Sequence, residues 1–356
     1  MADGEAMGTA ADRESWLNLF RYYDRERKGY VTVEELRRRV TEAGDASGLP
    51  AADREELLAK VDKNKDELVD FSEFCMLLSR AKKMHIRHVM FRAAQLVVPR
   101  RQRDEEFSYL QQYNCMPPPL FMIAVTIVQG GFYAFYALES GEPVSISGPI
   151  PTHSPLIYSP YRRVEIWRFL TYMFIHIGIY HVVFNAIMQL IVGIPLELVH
   201  KPWRVGAVYM LGVIAGSLGV SVTDPQVYLA GASGGVYALI AAHVANVLVN
   251  WSEMEFAICR SLLLVLLICS DFGVAIYNRY FDPAAKDSKV SHVAHVAGFV
   301  TGLLMGIVVL RNFRKEAWET VVWWLALLGS VTLLVLCVAW NLFVTDGYPP
   351  QEVTVV

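Results

Sequence analysis

From Pro225 to Ser252 the chain carries no Asp, Glu, Lys or Arg. A run of that length crosses a hydrocarbon layer, where helix is the form that satisfies every backbone N–H and C=O within one segment. The run therefore reads as helical, and it contains Ser233 in Gly231-Ala232-Ser233-Gly234-Gly235. A second run, Val290 to Leu310, carries His292 and His295. Serine and histidine in separate spans are the two groups that nucleophilic catalysis requires, placed where polar side chains are costly and usually functional. The pattern points to an intramembrane serine hydrolase.

Composition agrees, with 54% hydrophobic and 19% charged residues against about a quarter charged in soluble chains. The asymmetry is sharper than the average. Residues 1–80 hold 18 Asp and Glu against 13 Lys and Arg, whereas long uncharged runs begin only at Pro117. An acidic soluble head thus precedes a membrane body. Cys75, Cys115, Cys259, Cys269 and Cys337 are scattered without metal-ligand spacing, so neither a disulfide framework nor a zinc site is expected. The opening Met-Ala-Asp-Gly-Glu has neither signal-peptide nor transit-peptide character. Nothing indicates nucleic-acid binding.

Seven spans are expected, at about 119–138, 175–199, 203–223, 229–251, 256–277, 292–310 and 321–344. Lys82, Lys83, Arg87, Arg92, Arg100, Arg101 and Arg103 precede the first span. Lys201 and Arg204 separate the second and third, and Arg311, Arg314 and Lys315 follow the sixth. All fall on one side, which becomes cytoplasmic together with the N-terminus. Two loops oppose the rule, with Arg162, Arg163 and Arg168 in one and Arg279, Lys286 and Lys289 in the other.

With that orientation the second, fourth and sixth spans enter from the same side, and Ser233 and His295 share a depth in the outer part of the bilayer. His181 and Asn185, four residues apart, occupy one face of the second span near the same level. Tyr237 lies one turn below Ser233, where its ring can support an imidazole. In this reading His295 takes the Ser233 proton, and Asn185, His181 and the Ser233 N–H stabilise the oxyanion. Taken singly, each residue has a plainer reading. A serine among glycines is a packing site, Tyr237 a core aromatic, and Gly298, Gly302 and Gly306 a close-packing stripe whose partner is the glycine-rich start of the fourth span. His292 and His243 are read as structural, and Glu197 as the partner of a helix end or of Lys201. The joint placement at one depth favours chemistry.

These residues resemble those of the rhomboid intramembrane serine proteases. Glu165-Ile166-Trp167-Arg168 is similar to that family's Trp-Arg signature, and His176, His181 and Asn185 fall on its His and Asn positions. Gly231-Ala232-Ser233-Gly234 matches its G-x-S-G, and His295-Val296-Ala297-Gly298 matches the histidine and glycine of its sixth span. The resemblance covers about residues 117–345. It implies a Ser233–His295 dyad without an acid, with Gly231, His181, Asn185 and Tyr237 in support, and single-span membrane proteins as substrates, cut in or near the bilayer. A span after the catalytic histidine resembles the secretory-pathway branch and implies a multi-pass protein of the plasma membrane or Golgi.

The head carries two helix–loop–helix calcium patterns. Asp24, Glu26, Tyr30 (carbonyl), Thr32 and Glu35 stand at positions 1, 3, 7, 9 and 12 of the first, with Gly29 at the turn and Lys28 where an oxygen is wanted. Asp62, Asn64, Asp66, Leu68 (carbonyl), Asp70 and Glu73 fill every ligand position of the second, but Glu67 replaces the turn glycine. Calcium is accordingly the expected cofactor, regulatory rather than catalytic, and such a pair resembles that of EF-hand-bearing rhomboids. The basic, partly amphipathic segment 81–104 reads as a membrane anchor or a target for the head, and Cys115 as a palmitoylation candidate. The expected chain is all-α. Residues 1–80 form an EF-hand pair, 81–116 a basic linker, 117–345 a seven-span membrane domain and 346–356 a short extracytoplasmic tail. The competing readings are a rhomboid-like protein that binds membrane clients without cutting them, and a calcium-gated channel or carrier. The first is expected to lose the serine or histidine, and the second to place its polar residues at the bilayer midplane.

Overall fold

The computed structural model describes residues 10–43, 49–95, 97, 119–141, 144–146, 148, 151–251, 257–280, 292–310, 317–344 and 346–352. Cys115, Lys286, Lys289, Arg311, Arg314, Lys315 and the basic residues of 98–104 lie outside them. The chain divides into two compact units, Met1–Arg92 and Ala93–Val356.

The first unit comprises α1 (Ala10–Tyr23), β1 (Tyr30–Thr32), α2 (Val33–Ala43), α3 (Ala51–Ala59), β2 (Leu68–Asp70) and all but the last three residues of α4 (Phe71–Gln95). β1 and β2 pair antiparallel with Val31 opposite Val69, which locks the two calcium loops side by side. Phe20, Val31, Leu36, Leu58, Val69 and Phe74 make one apolar core beneath them, and the Phe20 ring meets Phe74 edge-on at 5.3 Å. Helix α4 does not stop at residue 80. No glycine or proline interrupts it, and Lys82 and His88 bond back to Asp12 and Asp53 of the same unit. The first part of the segment expected to be a linker is therefore helix.

The second unit is a helix bundle: α5 (Leu120–Ser140), the single turn α6 (Arg168–Thr171), α7 (Gly178–His200), α8 (Pro202–Thr223), α9 (Ser233–Val249), α10 (Ala257–Tyr280), α11 (His292–Val309) and α12 (Ala317–Phe343). All seven expected spans coincide with helices. Five of these helices, α5, α7, α8, α11 and α12, are long and apolar enough to cross a membrane. Helix α9 has 17 residues, and in α10 the apolar stretch is Ser261–Ser270. One expectation fails in detail. Residues 225–232 are not helical, because Pro225 follows the end of α8, Leu229 exchanges both backbone hydrogen bonds with Tyr158, and Gly231 sits at φ 115°.

Helix α9 is the centre, packed against α7, α8 and α11 and buried without a break from Gly234 to Ala242. Small residues let the backbones meet. A Cβ on Gly302 would fall on the Ala238 backbone, and one on Gly212 on the Ala238 side chain. A polar cluster ties α5, α7 and α8: Gln189 donates to Gln129 (2.8 Å) and Thr126 (2.6 Å), while Tyr209 donates to Gln189 (3.1 Å). Each buried group thereby finds a partner where water is absent. Glu197 accepts the N–H groups of Phe121 (2.8 Å) and Met122 (3.0 Å), capping the first turn of α5. The reading of Glu197 as a helix-end partner matches this contact.

Candidate active site

Ser233 opens α9, so its N–H belongs to the first turn and has no intrahelical acceptor. The approach is shaped by Gly231. At φ 115° a side chain is strained, and a Cβ there would lie 2.6 Å from the His181 ring nitrogen Nε2. Glycine thus lets the backbone run against His181 two residues before Ser233. The Gly231 N–H donates to the Tyr172 carbonyl (3.1 Å), and the Tyr172 hydroxyl donates to the Val213 carbonyl (2.7 Å), fixing the segment to α8.

His295 lies in the first turns of α11 and is 7% exposed. Tyr237, one turn beyond Ser233, stacks on it with ring centroids 4.4 Å apart and planes 11° from parallel. One turn after His295, a Cβ on Gly298 would strike the carbonyl oxygen of Gly234. The backbones of α9 and α11 therefore touch one residue after Ser233 and one turn after His295. His292 lies edge-on to His295 at 5.9 Å. His243 is remote from them, its Nε2 bonded to the Val192 carbonyl (2.8 Å), in keeping with a structural role.

Of the expected oxyanion groups, His181 has its ring beside the Gly231 backbone and meets the buried His176 ring edge-on at 5.1 Å. Asn185 is buried, and its amide donates to the His181 carbonyl of its own helix (2.9 Å). Its donor is held rather than presented, and apo hydrogen bonds of this kind can rearrange when substrate binds.

The loop ahead of α7 is held by Arg168, 3% exposed. Its guanidinium pairs with Glu165 (2.6 Å) and donates to the carbonyls of Ser154 (3.0 Å) and Ile157 (2.8 Å). Trp167 donates to the Pro155 carbonyl (3.2 Å). Burial pushes the Tyr158 phenol up to about 12, so it stays neutral beside Arg163. Glu165, Trp167 and Arg168 are the residues that resemble the Trp-Arg signature. Arg168 follows Arg162, Arg163 and Glu165 in a Pro- and Ser-rich loop, and nothing in that local pattern marks it as the one that is buried.

In the head, the two calcium loops differ. Lys28 forms an ion pair with Glu26, which raises the lysine pKa and occupies a ligand of the first loop. Glu35 faces Arg39 (2.8 Å) and Arg38 (2.6 Å), which lower its pKa. In the second loop Asp62 accepts the N–H groups of Lys65 (2.6 Å) and Glu67 (2.9 Å), and the buried Glu73 accepts those of Lys63 (3.0 Å) and Asp70 (3.3 Å). Glu67 adopts the left-handed turn at φ 62° that the missing glycine would favour. Among the described residues no three acidic, His or Cys side chains converge as a ready cage. They bond the loop's own amides instead. The hard oxygen set of Asp62, Asn64, Asp66, Leu68, Asp70 and Glu73 fits calcium. The set of Asp24, Glu26, Tyr30, Thr32 and Glu35 fits it poorly, being partly neutralised by lysine and arginine.

Comparison with known proteins gives two family matches, a Rhomboid domain over residues 163–312 and an EF-hand domain pair over residues 13–79. The chain is 38% identical to Inactive rhomboid-related protein 2 of Caenorhabditis elegans, over 92% of this chain and 93% of that one. It is 33% identical to human Rhomboid-related protein 3 over 94% and 89%, and 43% identical to mouse Rhomboid-related protein 2 over 67% and 80%.

Proposed function

The chain belongs to the rhomboid family, and from that premise we propose that it is an intramembrane serine endopeptidase that cuts single-span membrane proteins in or near the bilayer. The observation that carries this reading is the Tyr237–His295 stack beside the helix-opening Ser233. His295 takes the Ser233 proton as the hydroxyl attacks the scissile carbonyl, then gives it to the leaving amine. A water, activated in turn by His295, releases the acyl group. The Ser233 N–H, with its place at the positive end of α9, stabilises the oxyanion, and the His181 ring and a reoriented Asn185 amide complete the hole.

The orientation follows the basic residues, with the N-terminal head cytosolic, the site opening toward the opposite face, seven spans, and residence on the secretory route at the plasma membrane or Golgi. Calcium held by Asp62, Asn64, Asp66, Leu68, Asp70 and Glu73 supplies local charge neutralisation and a signal to the protease. The second reading, a membrane-client binder without catalysis, draws on the similarity to a relative called inactive. The two readings separate in one experiment, a fluorophosphonate probe together with release of a tagged single-span client from membranes. Wild type is expected to label and cut. Ser233→Ala should do neither, and His295→Ala should lose cleavage as fully, the two losses not adding. A wild type that is inert to the probe while still retaining the client in pull-down establishes the binder instead.

A further inference from the structure

Beyond the end of α12, residues 346–352 turn back along the segment 158–163. Gln351 reads two backbone groups at once, its Nε2 donating to the Pro160 carbonyl (3.0 Å) and its Oε1 accepting from the Arg163 N–H (2.8 Å). Next to it the Glu352 N–H donates to the Tyr161 carbonyl (2.8 Å), and the Glu352 carboxylate meets Arg162 Nε at 3.2 Å. The Arg163 guanidinium lies 3.4 Å from the centre of the Tyr348 ring and donates to the Asn341 carbonyl (3.3 Å) in the last turn of α12. Asn341 in turn accepts from Ser221 of α8.

The segment so gripped has a second side. Tyr158 and Leu229 exchange both backbone hydrogen bonds at 3.1 Å, and the Tyr161 and Tyr228 rings lie 6.0 Å apart. Leu229 stands four residues before Ser233 in the non-helical run whose conformation sets where α9 begins. An unbroken series of contacts therefore passes from the tail, through 158–163, to the backbone that presents the nucleophile. Helix α12 turns most of its apolar surface outward and is tied near both ends, by Trp323, whose indole N–H donates to the Val308 carbonyl (3.1 Å), and by Asn341 beside this segment.

We propose that residues Tyr348–Glu352 are a positioning strap for the active site, with Gln351 and Arg163 as its positioning residues: the tail holds 158–163 against 228–229 and so fixes the Ser233 N–H and hydroxyl for attack. This deepens the protease reading and rests on it. Mis-set geometry at a reacting centre costs rate rather than affinity.

The test uses full-length protein reconstituted in phosphatidylcholine vesicles, Gln351→Ala, Gln351→Glu, and a form ending at Val344. Client kcat and KM, the rate of Ser233 labelling by fluorophosphonate, thermal midpoint, and hydrogen exchange of residues 225–232 are measured. Gln351→Ala and the shortened form are expected to lower kcat and labelling rate about tenfold, with KM within about twofold, and to speed exchange in 225–232. Gln351→Glu, which keeps the acceptor and loses the donor, should fall between. Unchanged labelling with raised KM assigns the tail to client binding and overturns the strap. So does unchanged exchange in 225–232, which reads the strap even if wild type proves inert to the probe and the protease reading fails.

Discussion

Gly298→Ala is the smallest change that tests whether backbone contact sets the spacing of Ser233 and His295. A Cβ at 298 would lie 3.0 Å from the Cα and from the carbonyl carbon of Gly234, and closer still to its oxygen, where ordinary contact begins at 3.4 Å. All three obstructing atoms are backbone, so no rotamer can yield. The helices must separate by about 1 Å, between the residue after the serine and the turn after the histidine, and a displacement of that size costs about 100-fold in rate. The strain itself, about 1–3 kcal/mol for an inserted methyl, lowers the thermal midpoint without unfolding a bundle held elsewhere by Gly302 and Gly306. Gly329→Ala is the control, because its Cβ would meet only Leu304 Cδ1, at 3.8 Å. Client release and serine labelling are measured for both variants in the same vesicles. If Gly298→Ala cuts and labels at the rate of Gly329→Ala, backbone contact does not set the dyad.

Two further outcomes follow from the geometry. Tyr237→Phe keeps the ring over His295 and should stay near wild-type turnover. Tyr237→Leu loses a stack worth about 0.5–1.5 kcal/mol, hence about 2- to 13-fold in kcat if all of it orients the imidazole. In calorimetric titration with calcium, Glu73→Gln should weaken binding by about tenfold or more and Glu35→Gln should change it little, because Glu35 is already engaged by Arg38 and Arg39. Equal losses in the two variants contradict a dominant second loop.

What the sequence made legible is what repeats or stands out locally. The serine, the histidine, the glycine stripe and the calcium ligands announce themselves by spacing, and Glu197 does so by being an acid at the end of an apolar run. Lack of charge does not place the start of α9, because it measures membrane compatibility, not helicity. Gly231 and the Leu229–Tyr158 pairing decide the boundary instead. The Gln129–Gln189–Tyr209 cluster and the grip of Gln351 on Pro160 and Arg163 join residues 20 to 191 positions apart. Neither follows a period, so no window along the chain displays them.

Helix α9 has 17 residues, which at about 1.5 Å each gives about 25 Å, short of the roughly 30 Å of a typical hydrocarbon layer. Its companions α7 and α8, at 23 and 22 residues, span that distance. On the proposed orientation the shortfall falls at the Ser233 end, so the serine lies below the surface of the hydrocarbon layer by the difference between the lipid's thickness and one fixed helix. The depth belongs partly to the membrane: a thicker, sterol-rich bilayer lengthens the journey for water and for an unwinding client, and a thinner one shortens it. Moving the same molecule from one organelle to another would then retune its turnover with no change in the protein.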